Sequence, residues 1–296
     1  MHNSLINTNS NSMYRRAVSQ QSEYKSKLFD EIAILMRANG DCDVHMQLKE
    51  SIILVEKILI QQLKALIFEA IEVSNNPSPQ LTDFEFLLHR NKPKLARFRN
   101  HMKNVQKIQC KSDQKQLGLD PTFLNRISSE ESDEEQEIYD AEKTRRIYRA
   151  DRISQILSPQ KYDEFQKARS YTSNLRNKNN FLNKLVEVLQ IPKELQENSP
   201  NFLDCLLFFA LETVATLVDF SILTRLNSDN RINDPIIVPS NLSNDILHIC
   251  PEVTQGRGQE GIKPIKVQEI QEAMRRVQQM HNHRKMGSSK IAFLAL

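Results

Sequence analysis

Residues 44–74 read VHMQLKESIILVEKILIQQLKALIFEAIEVS, a stretch without one proline or glycine. Apolar side chains recur at Leu48, Ile52, Val55, Leu59, Leu63, Leu66, Ala70 and Val73, in steps of three and four, which is the spacing of one helix face. A second row, Ile53, Ile58, Ile67 and Ile71, widens the apolar surface beyond a coiled-coil seam. About thirty helical residues make a rod of about 45 Å. One neighbouring helix cannot cover a rod that long and that greasy.

Upstream, Tyr24 to Met36 shows helical spacing with Leu28, Ile32 and Leu35 on one face. Asn39-Gly40-Asp41 should stop it, because Asn and Gly tolerate the left-handed turn a helix end needs. Residues 1–22 are Asn- and Ser-rich with no apolar signal-peptide core, and are expected to form a disordered tail. Downstream, Asn75-Asn76-Pro77-Ser78-Pro79 ends the long helix. Thr82 and Glu85 have the spacing of a capping box for a short helix over Asp83 to Arg90. Pro93 suits the first turn of a further helix reaching about Ile108.

Residues 109–172 are expected to be a charged linker carrying one helix near Tyr139 to Leu157. The second half then repeats the plan of the first. A medium helix runs from Asn174 to Gln190 with Phe181, Leu185, Val188 and Leu189 inward. A long helix from Asn201 to Asn227 is striped at Phe202, Leu206, Phe209, Thr213, Leu217, Phe220 and Leu223. After a loop-like insertion at 228–263, an extended Ile265-Lys266-Val267 leads into a last helix, Gln268 to about Met280.

Composition agrees with an all-α chain. Among 296 residues there are only 6 Gly and no Trp, and Leu, Ile, Glu, Gln and Lys favour helices. Net charge is +3, but charge is unevenly spread: nine Lys or Arg lie between Arg90 and Lys115, and eight acids between Glu130 and Glu142. Such blocks are either two partner surfaces or a self-neutralising pair. Cys42, Cys110, Cys205 and Cys250 show no CxxC pairing, so a reducing compartment without disulfides or structural zinc is expected. Phe202 to Leu226 is mainly apolar, but Asp204, Glu212, Asp219 and Arg225 break it, so it reads as a buried helix, not a membrane span. His281 and His283 lack a third ligand nearby and read as a polar turn. No phosphate loop, HExxH or GxSxG occurs; nothing argues for an enzyme, a cofactor or a small-molecule substrate.

A medium–long–short helix set joined by two short loops is the histone-fold plan. Its long helix cannot bury its own apolar face, so histone folds pair head to tail. Two in one chain can pair with each other: the first over 23–108 with its basic helix, the second over 173–296. Burying a dozen large side chains is worth roughly 20–30 kcal/mol before chain entropy is subtracted.

The residues also resemble a family. Leu54-Val55-Glu56, Glu72-Val73-Ser74, Leu81-Thr82-Asp83-Phe84-Glu85-Phe86-Leu87 and Arg90-Asn91-Lys92 are similar to the double histone-fold family of the Suppressor of Ty three subunit of the SAGA coactivator. The first fold of that family is itself similar to the eighteen-kilodalton subunit of TFIID. Leu211-Glu212-Thr213-Val214-Ala215, Leu217-Val218-Asp219 and Leu223-Thr224-Arg225 resemble its second long helix. Ile270-Gln271-Glu272-Ala273-Met274-Arg275-Arg276 and Ala292-Phe293-Leu294-Ala295 resemble its last helix and tail. Val267 and the insertion at 228–263 depart from it. The resemblance implies a nuclear, non-enzymatic subunit among other SAGA subunits. Such a subunit would help recruit and regulate TATA-binding protein at RNA polymerase II promoters, touching DNA mainly indirectly.

On that resemblance Glu212 and Asp219, seven residues apart on one side of an apolar helix, are candidates for an acidic contact with TATA-binding protein. The alternatives are a solvated edge or pairing with Arg225, Arg275 or Arg276. Lys92, Lys94, Arg97, Arg99 and Lys103 are candidates for DNA phosphates or for acidic partners, the chain's own 130–142 segment included. Ser128 and Ser132 each have Glu three residues on, a spacing acid-directed kinases accept. The competing function is a histone-like DNA-binding protein, which the near-neutral total charge disfavours.

Overall fold

Without proline or glycine to interrupt it, the run from Lys49 to Ser74 forms one unbroken helix, α2. Residues 26–74, 76–117, 139–229 and 262–284 are described by a computed structural model, and all regular structure among them is helical. The 1–22 tail, Ser128, Ser132, Cys250, the terminal Ala292-Phe293-Leu294-Ala295 and most of the 228–263 insertion lie outside these residues. Ahead of α2 comes α1, Phe29–Ala38, and one 3-10 turn, Val44–Met46. Gly40 ends α1 with φ +115°, a conformation glycine adopts without steric cost.

Two helices fold back after α2: α3, Leu81–Leu88, and α4, Lys92–Leu117. The capping box that opens α3 is made by Gln80 and Asp83, two residues earlier than the Thr82–Glu85 pair the spacing suggests. The helix begins at Leu81, which puts Thr82 inside its first turn and leaves the cap to Gln80. Pro93 lies in the first turn of α4.

The expected linker holds two helices, α5, Ala141–Ile156, and α6, Pro159–Arg169; the second is not marked by any apolar stripe in sequence. Phe165 and Ala168 seat α6; the Phe165 ring is fully buried with the guanidinium groups of Arg37 and Arg169 at 5.1 and 5.8 Å from its centre, within cation–π range. A second 3-10 turn, Tyr171–Ser173, leads to α7, Leu175–Leu189, then α8, Lys193–Asn198, and the second long helix α9, Phe202–Asp229. Ile265 is in an irregular piece, and Val267 already belongs to the last helix, α10, Val267–Arg284.

The two long helices α2 and α9 pack against one another. On α2, Ile52, Val55, Leu59, Leu63, Leu66 and Ala70 are buried, while Leu48 stands half-buried just before its first turn. On α9, Phe202, Leu206, Phe209, Thr213 and Leu217 are buried and Phe220 is half-buried. Cys205, Leu207, Phe208, Ala210 and Val214 are buried as well. α9 is covered all round, the condition for a helix apolar on every side. α9 is long and apolar enough to cross a membrane, but 78% of its most apolar stretch is buried inside the molecule.

α1 lies on both long helices, and so does α10. Phe84 of α3 and Phe98 of α4 insert against α9. Phe84 is 5.8 Å from Phe209, and Phe98 is 5.1 Å from Phe208, ring centre to ring centre. Offset and edge-on contacts at such distances add to plain area burial.

Candidate functional site

The two helical units meet at both ends of the long pair through loop-to-loop hydrogen bonds. At one end the loop between α1 and α2 and the first turn of α2 reach the loop before α10: Ser51 Oγ, in that first turn, donates to the Ile265 carbonyl at 2.7 Å, and the Ile265 N–H donates to Asp41 Oδ1, in the loop, at 3.0 Å. At the other end Ser199, just ahead of α9, donates through Oγ to the Pro79 carbonyl, in the loop between α2 and α3, at 2.9 Å. First loop thus meets second loop twice, with the units running in opposite senses. Arg225 locks the later unit. It forks onto Glu269 with two bonds of 2.8 Å and donates to the Lys263 and Pro264 carbonyls.

Along the flank of α9 runs a network of arginines and carboxylates. Arg97 of α4 binds both oxygens of Asp140 at 2.8 and 2.9 Å, Glu142 at 2.7 Å and Glu212 at 2.9 Å. Arg146 of α5 grips Glu212 with two bonds of 3.0 and 3.1 Å, touches Thr216 at 3.3 Å, and donates Nε–H to Asp219 at 2.7 Å. Arg149 closes the row on the other oxygen of Asp219. Asp140 holds α5 in place at its start, accepting the Lys143 N–H at 2.9 Å, as a helix N-cap does.

Burial decides what these charges do. Glu212 is only 6% exposed, and the Arg149 side chain 3%. Burial pushes the Asp219 carboxyl up, yet Arg149 and Arg146 outweigh it and hold Asp219 below its usual range. Lys94 is buried in the same place; desolvation lowers its pKa against the pull of Glu142 and Glu212. Glu212 and Asp219 therefore do not form an open acidic face. They pair with Arg97, Arg146 and Arg149, while Arg225 belongs to Glu269 and Arg275 and Arg276 to Glu272.

The candidate basic residues separate in the same way. Lys94 and Arg97 face inward, so neither presents a cation to a DNA phosphate. Arg97 instead meets Asp140 and Glu142, the last acids of the 130–142 segment. Lys92, Arg99 and Lys103 are exposed, Arg99 pairing with Glu85. Missed by sequence reasoning were Arg146 and Arg149. Their three-residue spacing on α5, set against Glu212 and Asp219 on α9, was the available signal.

Among the described residues no group of three or more His, Cys, Asp or Glu could hold a metal ion. Cys42 and Cys205 are buried; desolvation pushes the Cys42 thiol up to about 12 and raises that of Cys205 too. Neither has the lowered pKa of a nucleophilic thiol.

The family model of the 18-kDa subunit of transcription initiation factor IID matches residues 26–117, the span from the start of α1 to the end of α4. Over 271 residues the chain is 42% identical to the SAGA complex subunit Spt3 of Drosophila melanogaster, covering 88% of this chain and 69% of that protein. The chain belongs to the Spt3 family. No solved structure matches it. The likeness to Spt3 extends over most of the chain, whereas the factor IID model accounts for the first unit and α4.

Proposed function

We propose that this chain is a non-enzymatic histone-fold subunit of a SAGA-type transcription coactivator, acting in the nucleus among other SAGA subunits. It helps recruit and regulate TATA-binding protein at RNA polymerase II promoters. The observation that carries the reading is the double meeting of loops, Asp41 with Ile265 (backed by Ser51 from the first turn of α2) and Ser199 with Pro79. That is how two histone folds complete each other head to tail. One fold spans 23–108, the other 173–296. The pair is then self-sufficient, and its outer surface is free for neighbours.

Membership in the Spt3 family supports the assembly. The candidate contact with TATA-binding protein, Glu212 and Asp219, fits the basic surface such a partner would present, once α5 makes way. Purifying the tagged chain from nuclear extract and identifying its companions by mass spectrometry tests the assembly. Recovery without other coactivator subunits would end the reading.

One observation favours a second reading, direct DNA binding: Lys92, Arg99, Lys103 and Lys107 stand exposed on one side of α4. A gel shift separates the two. An adaptor associates with promoter DNA when TATA-binding protein is present, whereas a histone-like protein binds alone and loses affinity steeply with salt.

A further inference from the structure

Of the helices around the long pair, α5 is held chiefly by charge. Its buried residues are Arg149, Ala150 and Ile153, and the principal helix–helix packings do not involve it. Long arginine side chains bridge the gap instead. Beside it α6 is anchored differently, packed closely on α1 with Phe165 fully buried. Between them Leu157 and Ser158 are extended and Pro159 opens α6, so the two helices are separate bodies joined at a two-residue pivot.

The network is also balanced. Four cations, Lys94, Arg97, Arg146 and Arg149, face four carboxylates, Asp140, Glu142, Glu212 and Asp219. Each arginine of the network is thus committed to a carboxylate. Taken without α5, the α9 flank presents two partly buried carboxylates and a hydroxyl in a row, Glu212, Thr216 and Asp219. Along the seam with α5 runs a cleft of about 70 Å³, lined from α9 by Phe220 and Leu223 as well.

We propose that α5 is a displaceable strap. The Glu212–Thr216–Asp219 row is a docking surface for an arginine-bearing segment of a partner protein, and α5 occupies that surface in the free chain. The proposal rests on the adaptor reading only for the existence of such a partner. Removing α5 without replacement would strip Asp219 of both its arginines and leave Glu212 with Arg97 alone, which is costly. Exchanging its two arginines for two others leaves the ion pairs intact. What is lost is the burial of Ala150 and Ile153; what is gained is the conformational freedom of the released segment. A partner with an apolar side chain beside its arginines gains the Phe220–Leu223 cleft in addition. The strap shows which chemistry the surface accepts: guanidinium groups, which fork onto carboxylates as ammonium groups do not.

The test uses the full chain and its Arg146→Gln/Arg149→Gln variant. The probe is a short alanine-based helical peptide carrying arginines three positions apart. Hydrogen exchange in the variant is expected to speed up about tenfold or more over residues 141–156 while α2 and α9 keep their protection. The peptide should bind the variant at least about tenfold more tightly than the parent, and adding Glu212→Gln and Asp219→Asn should abolish the gain. Unchanged protection of α5, or equal peptide affinity for parent and variant, would overturn the proposal. Should the variant not fold, the parent chain decides in a salt series from about 0.05 to about 0.5 M. Exchange over 141–156 must then accelerate ahead of every other helix, and a uniform response refutes the strap. Neither measurement uses another coactivator subunit, so a failure here leaves the adaptor reading standing. Conversely, a chain that co-purifies with no coactivator can still show a mobile α5.

Discussion

Ser51 and Ile265 are hydrogen-bonded at 2.7 Å although 214 positions separate them in the chain. With Ser199 and Pro79 at the opposite end, this bond fixes the register of α2 against α9. A slip of one helical turn would break both at once and leave buried carbonyls without donors, at about 1–3 kcal/mol each. Neither half can satisfy these carbonyls alone. When residues 1–138 and 139–296 are expressed separately, each is expected to aggregate. Expressed together, they should co-purify as a one-to-one pair on size exclusion. Two soluble, independent halves would contradict the shared core.

Truncating the seam should cost what a well-packed core costs. Phe209, fully buried between Phe84, Phe98 and Phe208, is expected to lose about 3–5 kcal/mol on Phe209→Ala. Phe68, on the same molecule, is 62% exposed, and Phe68→Ser should stay within about 0.5 kcal/mol of the parent. Urea unfolding of the two variants checks the contrast.

Glu212→Lys places a cation between Arg97 and Arg146. The loss expected is about 3–5 kcal/mol, the scale for breaking a buried pair from one side. A surface acid would tolerate the change. Thermal unfolding within about 2 °C of the parent would mean that Glu212 is open to solvent after all.

Asp41 gives the fold a pH dependence of definite sign. Burial pushes its carboxyl from 3.8 up to about 6, against the Cys42 and Ile265 N–H groups that favour the charged form. The folded chain therefore keeps this proton at pH values where the unfolded chain has lost it. The contribution is fully present below about pH 4 and is lost as pH rises through about 6, by up to about 3 kcal/mol. Asn at this position keeps an acceptor for both N–H groups without the charge. Asp41→Asn should thus gain on the parent between pH 4 and pH 7 in parallel urea titrations, and a pH-independent difference would refute the assignment.

Gly40 is constrained twice, by φ +115° and by Arg149, whose Nε would lie 2.8 Å from an added Cβ. Gly40→Ala should cost about 1–3 kcal/mol from backbone strain. It should also push Arg149 off Asp219, raising exchange over 141–156 more than over α3. Equal effects on both helices would separate Gly40 from the network.

Much of this architecture is written in local pattern. The Lys49–Ser74 helix is legible because Ile52, Val55, Leu59, Leu63, Leu66 and Ala70 repeat at the helical period, and Gly40 because one residue type suits a left-handed turn. α9 is legible as a helix, but the stripe from Phe202 to Phe220 understates it: Leu207, Phe208 and Ala210 lie off that stripe and are buried as well. α6 leaves little trace, since Phe165 is the one large side chain it buries, beside the small Ala168. The candidate site was half visible. Glu212 and Asp219 stand out as acids in an apolar helix, but their partners come from more than sixty residues away in sequence. Period and propensity carry no information about a pairing made by tertiary geometry. The same holds for Lys94 and Arg97, whose inward orientation follows from packing of α4 on α9 and not from any feature of the basic block.

Covalent continuity between the two units changes how they respond to dilution. Two separate polypeptides with these surfaces would dissociate at low abundance and could trade partners with other helical units of similar shape. Tethered, each unit meets the other at an effective concentration set by chain length alone, so its folded fraction no longer depends on how many copies the cell makes. Stoichiometry is fixed at synthesis, and promiscuous exchange is closed off.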